Sequence, residues 1–133
     1  MLKVKASIRI YTKGLSLSEV SSRLGTLEDF GYSEGDVIGK NPSSVYSETM
    51  WGKNSSCSME HEIDTHLNEL LDWLDTKKHE FHELTSKTNI KSDLFLFLAS
   101  ENGQGGGGIS SKIINRISSF DLDIVFDIYM DEE

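Results

Sequence analysis

The sequence predicts an α+β fold in which two βαβ halves are joined by a long helix. Residues 58–87 repeat apolar side chains at helical spacing, and the first and last thirds of the chain each read as strand, helix, strand. Because the first and last strands alternate apolar and polar residues, we expect each to have one solvated face. We therefore predict a mixed or antiparallel, ferredoxin-like sheet with the helices on one face.

The first third of the chain contains a strand, a capped helix and a loop region. Residues 2–11 alternate in the manner of a half-buried strand. Ser16 and Glu19 match a capping box, and Gly25 stands where a helix commonly ends. Residues 26–43 are rich in turn-forming residues, which predicts little regular structure.

A strand over residues 45–51 and then a long helix over residues 58–87 are predicted for the middle of the chain. Serines at positions 55, 56 and 58 are candidate N-caps, and the acids that follow suit a first helical turn. The apolar stripe skips a turn near Asp75, which predicts that the helix breaks in two there.

The last third contains an apolar strand, a glycine tract, a helix and a final strand. Residues 93–99 are apolar on both faces, which predicts a central strand covered on each side or a strand at a tight interface. Residues 103–108 are the glycine tract, residues 110–120 have helical periodicity, and residues 121–130 alternate. The alternating positions are Leu122, Ile124, Phe126, Ile128 and Met130 on one face and Asp123, Val125, Asp127 and Tyr129 on the other.

Length, cysteine content and charge limit the classes of function. The 133 residues suit a single domain over 1–133, and the lone Cys57 with no apolar leader predicts a cytoplasmic protein. The net charge is −9, and residues 54–133 carry six basic against sixteen acidic side chains. Such a surface repels phosphate backbones and anionic lipid, so we expect no nucleic-acid or membrane partner; it favours a basic protein.

The glycine tract matches the GxGxxG dinucleotide pattern in form, but a run this rich in glycine matches almost any glycine pattern. The following helix is expected to start beyond the motif. Three interpretations stay open: a flexible connection, an anion held by backbone N–H groups, and a nucleotide. The residues of this alternative ligand site are Gly105, Gly106, Gly107, Gly108 and Ser110.

No catalytic or metal-binding signature is found in the sequence. His61 and His66 resemble the HExxH pair, but they are five residues apart instead of four and point in different directions from one helix. His79 and His82 lack a third donor, and no base is expected near Cys57. We therefore expect no metal, no cofactor and no catalytic residue, and favour a protein that is not an enzyme.

Several stretches in order resemble a bacterial family catalogued as domain of unknown function 4279. They cover nearly the whole chain, and the glycine tract and the terminal DIY are the more specific ones. The resemblance implies a small single-domain protein without an established activity, and it carries no catalytic residue onto this sequence. The stretches are SIRIYTKGLSLSEVSSRLG, EGD, MWGK, HLNELLDWL, ENGQGGGG and FDLDIVFDIY.

The leading hypothesis is a non-enzymatic protein-binding module, specifically a toxin-neutralising immunity protein. Between positions 60 and 75 the long helix carries six acids and no Lys or Arg, which suits a basic partner. An alternative is a small-ligand or anion site at the glycine tract, and a third is a homo-oligomer formed through an uncovered face of residues 93–99. The expected partner-binding residues are Glu62, Glu69, Asp72 and Trp73, followed by Asp123 and Asp127.

Overall fold

The computed structural model describes residues 2–130, which form an open five-stranded sheet and four helices. Among these residues, no helix is long and apolar enough to cross a membrane. The strands are β1 (Leu2–Thr12), β2 (Phe30–Tyr32), β3 (Thr49–Asn54), β4 (Ile90–Ser100) and β5 (Asp123–Met130). The helices are α1 (Leu17–Leu24), α2 (Ile63–Thr76), α3 (Lys78–Thr85) and α4 (Ser111–Ser119).

The sheet is mixed, with the strand order β2-β3-β1-β4-β5. β2 pairs with β3 in antiparallel fashion, whereas β4 and β5 are parallel and are connected through α4. The last third of the chain is therefore a βαβ unit, as expected. The α+β prediction is confirmed, and the ferredoxin-like arrangement stays a prediction.

Burial along β1 follows the alternation of its sequence. Val4, Ala6, Ile8 and Ile10 are at most 2% exposed, whereas Lys3 and Lys5 are exposed. One face of this strand is thus in the core, and its opposite face is partly solvated.

The chain divides into two compact units. Unit 1 comprises residues 1–8, 54–76 and 93–133, and unit 2 comprises residues 9–53 and 77–92. Within unit 1, α2 contacts α4; within unit 2, α1 contacts α3. The expectation of a single domain over 1–133 stays a prediction.

Unit 2 is organised by a capped helix and a buried tryptophan. The Ser16 side chain accepts a hydrogen bond from the backbone N–H of Glu19, the Glu19 side chain bonds back, and Gly25 ends α1 with φ 63°. The predicted capping box is therefore confirmed. Trp51 is fully buried, and its Nε1–H donates to Ser21 Oγ at 3.0 Å.

The predicted break of the long helix is confirmed, because α2 ends at Thr76 and α3 begins at Lys78. The predicted start is wrong. α2 begins at Ile63, five residues beyond Ser58, and the three serines do not cap it. The backbone carbonyl of Glu62 accepts from the N–H of His66 at 3.4 Å, so the turn before the helix ends at Glu62.

Three strand predictions need correction. The loop region contains the short strand β2, and β3 starts at Thr49 instead of residue 45. Val45 lies outside β3 in an isolated bridge with Val37. β4 is covered on one face only, because Leu94 and Leu96 are fully buried while the alternate phenylalanines are partly exposed.

We predict that Gly52→Ala lowers the free energy of unfolding by about 1–3 kcal/mol, because overpacking strains the β2–β3 pair. Gly52 lies opposite Phe30 in the register, and an added Cβ would collide with the Phe30 ring. Urea denaturation measures the effect. Gly106→Ala is the control, since its Cβ enters open space. The double variant Phe30→Ala with Gly52→Ala should cost less than the sum of its parts; strict additivity would contradict the explanation.

Candidate partner-binding groove beside the glycine tract

The glycine tract connects the end of β4 to the start of α4 and is held at its beginning. Ser100 Oγ donates to the carbonyl of Gln104, and the Gln104 N–H donates to Asn102 Oδ1 at 3.0 Å. Further along, a Cβ added at Gly107 would lie 2.7 Å from Ile63 Cδ1. The absence of a side chain there lets the backbone lie directly on an apolar residue of α2.

An apolar groove of about 430 Å³ lies between this tract and β5. Three side chains of β5 on its border are strongly exposed: Phe126 at 53%, Ile128 at 56% and Met130 at 65%. Neighbouring apolar side chains with this degree of exposure are typical of interaction sites on soluble proteins. The other residues lining the groove are Leu2, Ile63, Leu98, Ser100, Gly103–Gly108, Ile109 and Tyr129.

β5 is also an edge strand. It is the last strand in the sheet order, and among residues 2–130 no strand pairs with its outer side. Alternate backbone N–H and C=O groups of an edge strand point away from the sheet and are open to a further strand. The groove side of β5 therefore combines exposed apolar side chains with accessible backbone groups.

An acidic recess of about 390 Å³ lies on the other side of the tract. Glu60, Glu62 and Asp64 line it together with Gly106–Gly108. Asp64 Oδ1 also accepts a long hydrogen bond, at 3.4 Å, from the N–H of Ser110. A carboxylate of the chain itself is therefore present where α4 begins.

The residues of the predicted ligand site are divided between the groove and the start of α4, and their role as a ligand site stays a prediction. Gly105–Gly108 line the groove, but Ser110 caps α4 by accepting from the N–H of Ile113 at 3.4 Å. The helix begins at Ser111, beyond the glycine motif, as expected. Because Asp64 faces the Ser110 N–H, the local field opposes a second negative charge.

The predicted partner-binding acids of α2 and the turn before it differ in their availability. Glu62 is exposed and lines the acidic recess. Glu69 is half-buried and accepts from Ser56 N at 2.7 Å, Ser56 Oγ at 2.9 Å and Cys57 N at 3.1 Å. Burial on its own raises the pKa of Glu69, but these hydrogen bonds outweigh burial and lower the pKa. Glu69 thus holds the chain that precedes α2.

Asp72 is paired within the fold. Arg116 of α4 reaches both Asp72 Oδ1 and Asp75 Oδ2 at 2.8 Å, and it donates to Asn68 Oδ1 at 3.0 Å. Asp72 and Asp75 have no basic neighbour within α2, but Arg116 of α4 supplies one. Trp73, the remaining predicted residue on α2, is half-buried.

The two predicted acids of β5 share one face, opposite the exposed apolar residues. Asp123 is exposed, Asp127 is half-buried, and Asp127 raises the pKa of Tyr129 through its charge and a hydrogen bond. Asp123 is also the register partner of Asp93 on β4. Three acids therefore lie on this face of the strand pair, together with apolar residues such as Phe95 and Val125.

Comparison with known proteins places the chain in a family. Residues 2–131 match the family described as Domain of unknown function (DUF4279). The chain belongs to this family. Neither the curated proteins nor the solved structures with which it was compared give a match.

The DUF4279 chain also contains a cysteine–histidine contact that the sequence did not indicate. Cys57 Sγ lies 3.2 Å from His66 Nδ1, so the expectation that no base lies near Cys57 is wrong. The turn at residues 58–62 folds back and brings the two together. Burial, and then the nearby Glu69 carboxylate, raise the pKa of Cys57, which keeps the thiol protonated. An activated nucleophile needs the opposite shift.

Within residues 2–130, no group of three His, Cys, Asp or Glu side chains is placed to hold a metal ion.

His66 is fully buried and is bonded on one side. Ser55 Oγ accepts from the N–H of Ala6 at 3.1 Å and lies 2.7 Å from His66 Nδ1. Either partner of this bond can be the donor, because the tautomer of the His66 ring sets which nitrogen carries the proton. Nε2 is buried and has no hydrogen-bond partner among the described residues. Burial lowers the pKa of His66, and the Ser58 backbone and then the Glu69 carboxylate oppose this without cancelling it.

We predict that the protein loses stability as the pH falls below about 6.5, the ordinary pKa of histidine. The folded state keeps His66 neutral while the unfolded chain takes up a proton, so acid favours unfolding. The loss is at most about 1.4 kcal/mol per pH unit for one proton. The loss of stability stops once the pH falls below the lowered pKa of His66 in the folded state. Urea denaturation at several pH values from about 7.5 to about 5 measures it.

His66→Gln should be less stable at neutral pH and should flatten this pH dependence. The matched control is His79→Gln, because His79 is exposed and pairs only with Glu83 at 3.4 Å on the same helix. An unchanged slope in His66→Gln would contradict the assignment. Below about pH 4.5, Glu69 adds a second loss, since its lowered pKa makes its contribution disappear on protonation.

Proposed function

We propose that this DUF4279 protein is a non-enzymatic protein-binding module whose partner docks on the outer part of β5. The observation that carries the proposal is the exposure, 53–65%, of Phe126, Ile128 and Met130 on one face of an edge strand. We call these three residues the β5 apolar face. Burying them against a partner removes apolar area from water, which is the main driving force of association.

Charge selects the type of partner. The chain carries a net charge of −9, and the acidic recess with Glu60, Glu62 and Asp64 lies next to the groove across the glycine tract. Complementary charge steers association and rejects acidic competitors. The proposed partner is therefore a basic protein.

The more specific proposal is an immunity protein that neutralises a basic toxin in the cytoplasm. Many toxic enzymes that act on nucleic acid need a basic surface for their substrate. An acidic protein that covers such a surface competes directly with the substrate. The cytoplasmic location belongs to this proposal and agrees with a single cysteine that forms no internal disulfide.

The six residues expected to bind a partner contribute unequally to this proposal. Glu62 lines the acidic recess, and Asp123 and Asp127 lie on the face of β5 opposite the β5 apolar face; these are the acids we assign to the partner. Glu69 and Asp72 are already hydrogen-bonded within the fold. Together with Trp73, they form a secondary surface.

We predict that Phe126→Ser with Ile128→Ser weakens binding to the product of the neighbouring gene by about 30-fold or more, the scale of two apolar contacts in a binding hot spot. Isothermal titration with the purified proteins measures this, and co-expression tests protection where that product is toxic. The matched control is Leu27→Ser, which replaces another strongly exposed apolar residue, 77% exposed, in unit 2.

Replacing an acid by lysine distinguishes electrostatic steering of the partner from docking of the partner on β5. Glu62→Lys should weaken binding most at low salt, because its contribution is electrostatic and is screened by ions. Equal binding by the wild type and the double serine variant would refute docking on β5. Binding of an acidic partner in preference to a basic one would refute the charge assignment.

A second candidate function is the binding of a small apolar ligand in the same groove. Its volume of about 430 Å³ is within the range of small-molecule sites, and its lining is apolar except for backbone groups and a few side chains such as Ser100. The Asp64 carboxylate at the start of α4 argues against the anionic form of this hypothesis.

We predict that inorganic phosphate and nucleotides leave the melting temperature unchanged in a thermal-shift screen, because acidic groups line one side of the tract and the other side is apolar. Uncharged apolar compounds that raise it would support the second candidate, provided that Phe126→Ser abolishes the shift. A rise with phosphate in the wild type would contradict this account of the tract.

A further inference from the structure

We infer that the partner is bound as an added β-strand along β5, and that its binding segment alternates apolar and basic side chains. This inference rests on the proposed function and specifies the partner segment. It follows from three features of β5: its open edge, its alternation and the position of its acids.

The backbone of β5 favours strand addition. β5 is an eight-residue strand at the end of the sheet, long enough to pair with an extended segment. Addition of a strand to such an edge satisfies the outward N–H and C=O groups and is an established mode of peptide recognition. Main-chain hydrogen bonds then supply affinity, and alternate side chains supply specificity.

The β4–β5 register shows what an added strand would meet on each face. On the groove face, Phe126, Ile128 and Met130 are aligned with Leu96, Leu98 and Ser100. On the opposite face, Asp123 and Asp127 are aligned with Asp93 and Phe97. Side chains on paired strands share a face, so the added strand needs apolar residues toward the groove and residues that suit acids on the other side.

The acidic face calls for a cation. Asp123 and Asp127 lie four residues apart on the same face of β5, so both carboxylates add negative charge to that face. A Lys or Arg from an added strand would lie beside these carboxylates and offset their repulsion.

A second copy of the chain suits this edge less well than a basic segment. A copy that pairs through its own β5 brings Asp123 and Asp127 with it, and each copy carries a net charge of −9. Both effects oppose association between copies. The alternation of β5 therefore selects a basic partner strand over a second copy.

The test uses the full chain and five synthetic peptides of about eight residues, the length of β5. The first alternates Val and Lys, the second alternates Val and Glu, and the third has all Val residues before all Lys residues. The fourth peptide has the sequence of the first, with alternate backbone nitrogens methylated so that one of its two edges cannot donate hydrogen bonds. The fifth is methylated on the other edge instead. NMR titration to millimolar peptide measures affinity and locates the shifted amides.

The alternating Val–Lys peptide should bind with shifts centred on β5, and the block and Val–Glu peptides should bind at least about tenfold more weakly. One of the two methylated peptides should bind about tenfold or more weakly than the unmethylated peptide, because it cannot donate hydrogen bonds to the β5 edge. Asp123→Lys with Asp127→Lys should reverse the preference toward Val–Glu. Light scattering of the free protein should give a monomer.

Absence of binding by the alternating peptide, or equal binding by both methylated forms, would overturn strand addition. So would a dimer that Ile128→Lys dissociates, since a second copy would then occupy the edge. These outcomes are separable from failure of the proposed function. A partner whose affinity falls in the double serine variant, while no peptide pairs with β5, would preserve the protein-binding module and reject the added strand.

Discussion

The buried hydrogen bond between Ser55 and His66 is the interaction on which unit 1 depends. Ser55 bonds to Ala6 through both its backbone N–H and its hydroxyl, and the same hydroxyl contacts His66 Nδ1. One short chain of hydrogen bonds thus connects β1, the segment after β3 and α2. A buried polar group that loses its partner costs roughly 1–3 kcal/mol, so none of these three residues is easily replaced alone.

The position of α2 determines the candidate site. Glu69 bonds to Ser56 and Cys57 and fixes the same segment from the next turn of the helix. On its outer side, Asp72 and Asp75 bind Arg116 and so hold α4. Since α4 follows the glycine tract, these contacts also set where the tract ends, over Ile63. Acids that look like a free surface in the sequence are largely used to assemble the groove.

The sequence predicts most elements because their signals are local. The capping box of α1, the helix break near Asp75 and the alternation of β1 depend on neighbours within a few residues. It does not predict the pairing of Arg116 with Asp72, since the two are 44 residues apart and only the packing of α4 on α2 joins them. Nor does it predict the contact of Cys57 with His66, which depends on the turn at residues 58–62. Strand order is likewise nonlocal, and it alone makes β5 an edge strand whose Phe126 and neighbours are exposed.

An exposed apolar edge is a hazard for any soluble protein, because strands of other copies can add to it. Among the described residues no further strand covers this edge, so charge is the property that can oppose such addition. Asp123 and Asp127 lie on the face opposite the apolar residues, and the net charge of −9 adds repulsion between copies. In the proposed binding mode, the same acids favour a strand that brings positive charge. Protection and recognition then become one property of β5, since the charges that oppose a second copy attract a basic segment that alternates with it.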